Sequence, residues 1–161
     1  LLQAGATGGQ PGRIVNISSV GGKNANPFMG PYCASKFAVE GFSESLRREL
    51  LLLGIDVIVI APGAVATPIW AKAEEVDVTP YAATAFAPAL AKVRAYMLSN
   101  GPKGLAPRVI GQAVLKALTL PKPKVRYTLS PDPFQTFMTA VLPKRFLDRT
   151  IGKQLGLLPG G

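Results

Sequence analysis

Two stretches, Ile14-Val15-Asn16-Ile17-Ser18-Ser19 and Tyr32-Cys33-Ala34-Ser35-Lys36, predict how the centre of this chain folds. The first is an apolar run, typical of a buried strand that ends near Ser19. The second falls at the start of a predicted helix, where Tyr32 and Lys36, four residues apart, lie on the same face. The sequence therefore predicts a hydroxyl at the end of a strand, opposite a tyrosine–lysine pair on a helix.

These three side chains suit proton transfer at a carbonyl or an alcohol. A free tyrosine has a pKa of about 10, and a nearby ammonium favours its phenolate form. A tyrosine in such surroundings can serve as a general acid or base near neutral pH. A serine hydroxyl at the strand end could donate a hydrogen bond to a substrate oxygen. The pair alone does not decide the matter, because Tyr32 and Lys36 could also be an ordinary solvated surface pair.

Three linked motifs together resemble the short-chain dehydrogenase/reductase family. In chain order they are Asn16-Ile17-Ser18-Ser19, Gly30-Pro31-Tyr32-Cys33-Ala34-Ser35-Lys36 and Ala61-Pro62-Gly63-Ala64-Val65-Ala66-Thr67-Pro68. The resemblance covers about residues 1–130. It implies an NAD(P)-dependent oxidoreductase that interconverts an alcohol and a carbonyl, with catalytic Ser19, Tyr32 and Lys36.

The same resemblance implies a role for each site residue. Tyr32 would exchange the proton, Lys36 would also hold the cofactor ribose, and Ser19 would polarise the substrate oxygen. The implied cofactor-binding residues are Tyr32, Lys36, Pro62, Gly63, Val65 and Thr67. Thr67 could also be a helix N-cap followed by Pro68 at the first helical position, and the two roles can hold together. The cofactor could be NAD or NADP, because the residue that selects between them lies in the upstream half of the family's domain.

The hydrophobic pattern predicts an α/β fold with about three strands. The resemblance implies that these strands are the C-terminal part of a doubly wound Rossmann-like parallel sheet. The predicted strands are residues 13–18, 55–61 and 124–129. The predicted helices are residues 31–53, 79–100 and 108–120, with two short helices between residues 134 and 158. The first strand is expected to lie at an apolar edge, beside strands that the family carries upstream.

The predicted domains are residues 1–130, the C-terminal part of the dehydrogenase domain, and residues 131–161, a C-terminal helical extension. Within the first, residues 67–103 correspond to the family's substrate loop or lid. The large apolar residues there favour a lipophilic substrate, although a core-packing helix would predict the same residues. Because the chain begins at Leu1, we expect it to be part of a longer protein.

The cysteine and histidine content excludes several kinds of functional site. The 161 residues contain one cysteine, Cys33, and no histidine, so an intrachain disulfide, a histidine triad and a histidine metal site are excluded. We expect no metal, a small packing role for Cys33, and a cytoplasmic, reducing location.

The charge is concentrated in the second half of the chain. The formal net charge is +9, and residues 103–161 contain ten Lys/Arg against two Asp/Glu. A solvated surface is the expected explanation, and peripheral membrane contact through residues 134–158 is the alternative. Nucleic acid is not expected, because aromatic residues do not alternate with the basic ones.

The expected partners are a small alcohol or carbonyl substrate and, for the full-length protein, a second copy of the same chain. The other function class that remains open is a non-catalytic interaction module of the same descent, lacking the dinucleotide-binding half. We expect these 161 residues alone to bind a dinucleotide poorly, because the family's glycine-rich turn lies upstream.

Overall fold

Three apolar strands pair in parallel in the order β1-β2-β3, with β1 at Arg13–Ile17, β2 at Asp56–Pro62 and β3 at Arg126–Leu129. In the register, Val15 lies beside Ile58, and Ile60 lies beside Tyr127. This computed structural model describes residues 12–159. Within those residues β1 pairs only with β2, so it lies at an edge of the sheet, as predicted.

Six helices accompany the strands in the described residues. They are α1 (Gly30–Glu49), α2 (Ile69–Glu74), α3 (Ala87–Asn100), α4 (Pro107–Thr119), α5 (Pro133–Val141) and α6 (Lys144–Leu155). Short 3-10 turns lie at Val20–Gly22, Leu50–Leu53 and Thr79–Tyr81.

The chain divides into two compact units. The first contains the residues up to Gly63 together with Leu105–Pro131, and so holds the sheet, α1 and α4. The second contains Ala64–Gly104 and the residues from Asp132 onward, and so holds α2, α3, α5 and α6.

In the first unit, helices cover both faces of the sheet. Val15 of β1 packs against the cluster that includes Ala113 and Ala117 of α4. The next residue, Asn16, donates a side-chain hydrogen bond of 2.9 Å to the hydroxyl of Ser43 in α1. Because successive residues of a strand point to opposite faces, α4 and α1 lie on opposite sides of the sheet. The predicted doubly wound α/β arrangement is therefore confirmed.

The core of this unit is the middle strand and α4. Five consecutive residues of β2, Val57 to Ala61, are at most 3% exposed. Ile58 and Ile60 pack against Ala113 and Ala117, whose small side chains let α4 approach the strand closely. A strand buried on both faces matches the continuous apolar run in the sequence.

The helix around Tyr32 extends nearly as predicted, and its last turn differs in type. After Glu49 the chain tightens into the 3-10 turn Leu50–Leu53, which ends at Gly54. Gly54 has a φ of 64°, a left-handed conformation that favours glycine and ends the helix.

One predicted helix start is wrong. The helix expected from Thr79-Pro80 to Asn100 is divided into the turn Thr79–Tyr81 and α3, which begins at Ala87. Pro88 accounts for the later start, because proline is accommodated in the first turn of a helix and disrupts its interior.

In the second unit, α3 packs against both α2 and α6. Lys92 of α3 donates a hydrogen bond of 3.5 Å to the carbonyl of Gln154 in α6. Arg94 of α3 donates one to the carbonyl of Glu74 in α2. The segments predicted as a lid and as a C-terminal extension thus contribute to the same unit, and their roles stay predictions. Among residues 12–159, no helix is both long enough and apolar enough to cross a membrane.

Candidate active site

Ser19 lies at the carboxyl ends of β1 and β2, with its hydroxyl held by two backbone groups. It is the N-cap of the turn Val20–Gly22, where its Oγ accepts a hydrogen bond of 3.1 Å from the amide of Gly21. The same hydroxyl donates a hydrogen bond of 3.2 Å to the carbonyl of Pro62. The amide of Ser18 also bonds to the carbonyl of Ile60 at 2.8 Å, so β1 remains tied to β2 up to the site.

The glycine at position 21 lies between the serine and the tyrosine. A Cβ built on Gly21 would lie 3.3 Å from Tyr32 Cε1, 3.5 Å from Ser19 Oγ and 3.7 Å from Cys33 Sγ. The turn therefore approaches α1 with its backbone, and this approach brings Ser19 and Tyr32 together. Cys33 is buried at 3% exposure, in keeping with its predicted packing role.

Gly22 approaches α1 more closely still. A Cβ there would lie 2.7 Å from Ser18 Oγ and 2.9 Å from both the Lys36 carbonyl oxygen and Glu40 Cγ. The Ser18 hydroxyl in turn donates a hydrogen bond of 3.4 Å to that Lys36 carbonyl. The turn that holds Ser19 thus fits against the helix that holds Tyr32 only because it carries no side chain at this position.

Tyr32 and Lys36 lie on the same face of α1, as their spacing predicts. The Lys36 Nζ is 5.9 Å from the centroid of the Tyr32 ring, a distance at which a cation–π attraction operates. It also donates a hydrogen bond of 3.3 Å to the carbonyl of Ile17, the last residue of β1. The Tyr32 side chain is 43% exposed, so a ligand can reach it from solvent.

An ion pair that the sequence did not predict holds the same helix to the third strand. The Nε of Arg126 in β3 lies 3.0 Å from Oε2 of Glu40, and its Nη2 lies 3.1 Å from Oε1. The Glu40 and Arg126 side chains are 10% and 23% exposed. The spacing indicates only that Glu40 lies one turn after Lys36. It carries no signal for a partner 86 residues away.

The predicted cofactor residues after β2 fall in two groups. Pro62 and Gly63 belong to the first unit, where the Gly63 amide donates a hydrogen bond of 2.7 Å to the carbonyl of Leu129. Val65 and Thr67 belong to the second unit, where the Val65 carbonyl accepts a hydrogen bond of 2.7 Å from the indole of Trp70. The first unit thus brings together Ser19, Tyr32, Lys36 and Pro62.

The alternative interpretation of Thr67 as a helix N-cap is wrong. The structure places the N-cap of α2 at Pro68, with no side-chain hydrogen bond capping it. The Thr67 carbonyl instead accepts a weak hydrogen bond of 3.5 Å from the Trp70 amide. The helix starts one residue later than the Thr-Pro pair suggests.

Comparison with known proteins identifies the family. The family model described as short chain dehydrogenase matches residues 3–77, which include the serine, tyrosine and lysine. The chain belongs to the short-chain dehydrogenase/reductase family. It is 34% identical over 157 residues to the NADPH-dependent 3-dehydrocapnine reductase of Ornithobacterium rhinotracheale, an alignment covering 96% of this chain and 55% of that protein.

Two further comparisons show what the chain is similar to. It is 37% identical over 131 residues to the mitochondrial D-beta-hydroxybutyrate dehydrogenase of Rattus norvegicus, covering 72% of this chain and 37% of that protein. A solved short-chain dehydrogenase from Streptomyces avermitilis superposes with a TM-score of 0.57 at 24% identity, covering 91% of this chain and 50% of that one. This last likeness shows the shared fold alone. The chain spans about half the length, or less, of these relatives.

Proposed function

We propose that this chain carries the proton-transfer site of an NAD(P)-dependent oxidoreductase that interconverts an alcohol and a carbonyl. The observation that supports the proposal most strongly is the position of Gly21, whose missing side chain would touch both Ser19 Oγ and the Tyr32 ring. A substrate oxygen within reach of both side chains could exchange a proton with Tyr32 while accepting a hydrogen bond from Ser19.

Lys36 would act on the tyrosine electrostatically. Its ammonium is held to the Ile17 carbonyl and lies 5.9 Å from the ring centroid. A fixed positive charge there stabilises the phenolate that forms when Tyr32 gives up its proton. The hydrogen bond of 3.3 Å to the strand end restrains the long lysine side chain, so the charge is already near the tyrosine before the substrate binds.

The residues present fit the part of a nicotinamide cofactor that the family resemblance assigns to them. A lysine ammonium has three N–H donors, and the Ile17 carbonyl accounts for one of them, so Lys36 could also hold ribose hydroxyls. Tyr32, Pro62 and Gly63 lie at the carboxyl end of the parallel strands, the edge at which such sheets bind ligands. The cofactor, when bound, would supply the hydride chemistry. Either NAD or NADP is compatible with these residues.

A lipophilic substrate is part of the same proposal. The region that corresponds to the family's substrate segment carries several large apolar side chains that are more than half exposed, namely Ile69, Val76, Tyr81, Phe86 and Tyr96. Large apolar side chains in this segment are what a lipophilic substrate would contact. A cytoplasmic location and a homo-oligomeric full-length protein also stay predictions.

A panel of secondary and lipophilic alcohols and ketones tests the proposal with the full-length protein. Nicotinamide absorbance reports turnover, and Tyr32→Phe is expected to lower kcat by roughly 10²–10⁴-fold, because the phenolic proton is lost. Tyr127→Phe is the matched control, because it removes the same hydroxyl group from a tyrosine of β3 that has no part in the proposed site. Turnover that is equal in Tyr32→Phe and the parent protein would refute the assigned role.

The competing class is a non-catalytic interaction module of the same descent. Within residues 12–159, β1 pairs on one side only, and its other edge could pair either with the strands that the family carries upstream or with another chain. An unpaired edge strand offers backbone groups to another chain. A folded protein that binds neither cofactor and turns over no member of the panel would favour this module over the enzyme. The 161-residue chain alone is expected to bind either dinucleotide weakly, and tight saturable binding would contradict that expectation.

A further inference from the structure

The apolar face of α5 lies on the outside of the protein. Phe134, Phe137 and Val141 are 73%, 61% and 55% exposed. Together with Met138 they stand at positions i, i+3, i+4 and i+7, so they form a single stripe along the helix. A helix with such a stripe normally buries it against the core.

The two threonines of α5 are less exposed than its two phenylalanines. Thr136 and Thr139 are both partly buried, and the Thr139 hydroxyl donates a hydrogen bond of 3.0 Å to the Thr136 carbonyl. Three of the four stripe residues are exposed, and Met138 is partly buried. An amphipathic helix that packs on a core would bury these apolar side chains and expose the threonines.

The next helix is oriented conventionally and adds positive charge. Leu147 of α6 is 7% exposed, and Ile151 and Leu155, at i+4 and i+8 from it, are partly buried. The exposed side carries one aromatic residue and several cations, namely Phe146, Arg145, Arg149 and Lys153. Lys144 is also exposed, and Asp148 is the one acidic residue of α6.

We propose that α5 and α6 dock on the surface of an anionic lipid bilayer. Exposed aromatic side chains combined with exposed Lys and Arg on short helices are the composition of segments that lie in a membrane interface. The aromatic stripe of α5 would enter the boundary between headgroups and acyl chains. The cations of α6 would meet anionic headgroups, whose negative potential attracts basic segments. Only two residues, Leu142 and Pro143, separate the two helices.

The charge argues for lipid over a second copy of this chain. In a two-fold contact the same patch faces itself, so the α6 cations of one copy would approach those of the other. Like charges brought together across an interface oppose binding. An anionic membrane offers an apolar interior that the α5 stripe can enter. It also offers negative headgroups that the α6 cations can contact.

Vesicle co-sedimentation of the full chain tests the proposal. Vesicles of phosphatidylcholine alone are compared with vesicles that also contain phosphatidylglycerol. We expect binding to the mixed vesicles that falls as salt is raised, because salt screens the headgroup attraction. The double variant Phe134→Ser/Phe137→Ser should lower the partition constant by at least about tenfold. The variant Arg145→Gln/Arg149→Gln should lower the partition constant on the mixed vesicles and leave it unchanged on phosphatidylcholine vesicles.

Matched controls distinguish docking through α5 and α6 from nonspecific adsorption to vesicles. Leu52→Ser removes a side chain that is 91% exposed in the first unit, and Lys122→Gln/Lys124→Gln removes two exposed cations outside α5 and α6. Both should bind vesicles as the parent does.

Equal sedimentation of parent and phenylalanine variant would overturn the proposal. So would a concentration-dependent dimer in light scattering that the phenylalanine variant abolishes, since the stripe would then face a second copy. Neither outcome depends on the oxidoreductase assay, so this proposal and the proposed function can fail separately.

Discussion

Replacing Gly22 by alanine should destabilise the protein through a single methyl group. The added Cβ would lie 2.7 Å from Ser18 Oγ and 2.9 Å from the carbonyl oxygen of Lys36. The serine hydroxyl can rotate, but the carbonyl belongs to the backbone of α1 and cannot move without moving the helix. No positive φ is recorded at Gly22, so the effect is one of packing and not of backbone conformation.

The expected cost follows from these distances. Contacts below 3.0 Å force the turn away from the helix, and overpacking of this kind typically costs about 1–3 kcal/mol. In a protein of this size each kcal/mol lowers the melting temperature by about 2–4 °C. The turn that moves also carries Ser19, and a displacement of the order of 1 Å at a catalytic group can lower the rate by about 10²-fold. Gly22→Ala should therefore lose both stability and turnover.

Gly41→Ala is the control within the same helix. Gly41 lies inside α1, and a Cβ there would meet nothing within 4 Å. Because glycine in a helix interior is unfavourable relative to alanine, this variant should gain about 0.5–1 kcal/mol. Urea unfolding of both variants, followed by circular dichroism, measures the two free energies. The packing argument is refuted if Gly22→Ala is as stable as the parent, or if both variants gain stability equally.

Three further outcomes are expected from the described contacts. Ser43→Ala should cost about 1–3 kcal/mol in urea unfolding, because the buried hydroxyl accepts the hydrogen bond from the β1 asparagine, which would lose its partner; an unchanged midpoint would contradict this. Glu40→Gln should destabilise more than Glu40→Gln combined with Arg126→Leu, because the single change leaves the arginine charge without its carboxylate; a double-mutant cycle with no coupling would refute it. The pKa of Asp77 is lowered mainly by the side-chain hydrogen bond from Thr79 and secondly by the backbone hydrogen bond from the same residue. NMR titration of Asp77 should therefore give a midpoint below the ordinary value, and this midpoint should be higher in Thr79→Val. A pKa that is lowered in the folded state stabilises the protein at pH values above the unfolded pKa, and this contribution is lost as pH falls through the folded pKa. Because Asp77 is fully exposed, solvent screening keeps this contribution small.

The sequence predicted the parts of this fold whose signals are local. The continuous apolar run at residues 57–61 predicts a strand buried on both faces, and the structure has one there. The four-residue spacing of Tyr32 and Lys36 predicts a shared helix face, because helical geometry alone places them together. Gly54 ends its helix through a left-handed conformation that glycine adopts easily.

What the sequence missed depends on contacts between distant segments. The ion pair from Glu40 to Arg126 depends on where the third strand lies against α1, and neither residue type reveals its partner. The motifs quoted from the sequence do not include Gly21-Gly22, whereas the structure uses both glycines to bring the strand end against the helix. The exposed stripe of α5 was equally hidden, since the spacing of apolar residues shows that a helix has two faces and not which one is buried.

The proposed reaction requires Ser19 to leave a hydrogen bond that it makes in this structure. A hydroxyl has one proton to donate, and here the structure gives that proton to the carbonyl of Pro62. To polarise a substrate oxygen, the hydroxyl must rotate and leave the Pro62 carbonyl without this donor, while its oxygen can still accept from the Gly21 amide. Losing a buried hydrogen bond costs about 1–3 kcal/mol, so rotation is favourable only when the substrate oxygen carries enough negative charge to form a stronger bond than the carbonyl does. A neutral alcohol or carbonyl competes poorly with Pro62, whereas an oxygen that is gaining charge in the transition state competes well. The hydrogen bond from Ser19 to Pro62 would therefore make Ser19 bind the substrate oxygen more strongly in the transition state than in the ground state. Only such a difference in binding accelerates a reaction.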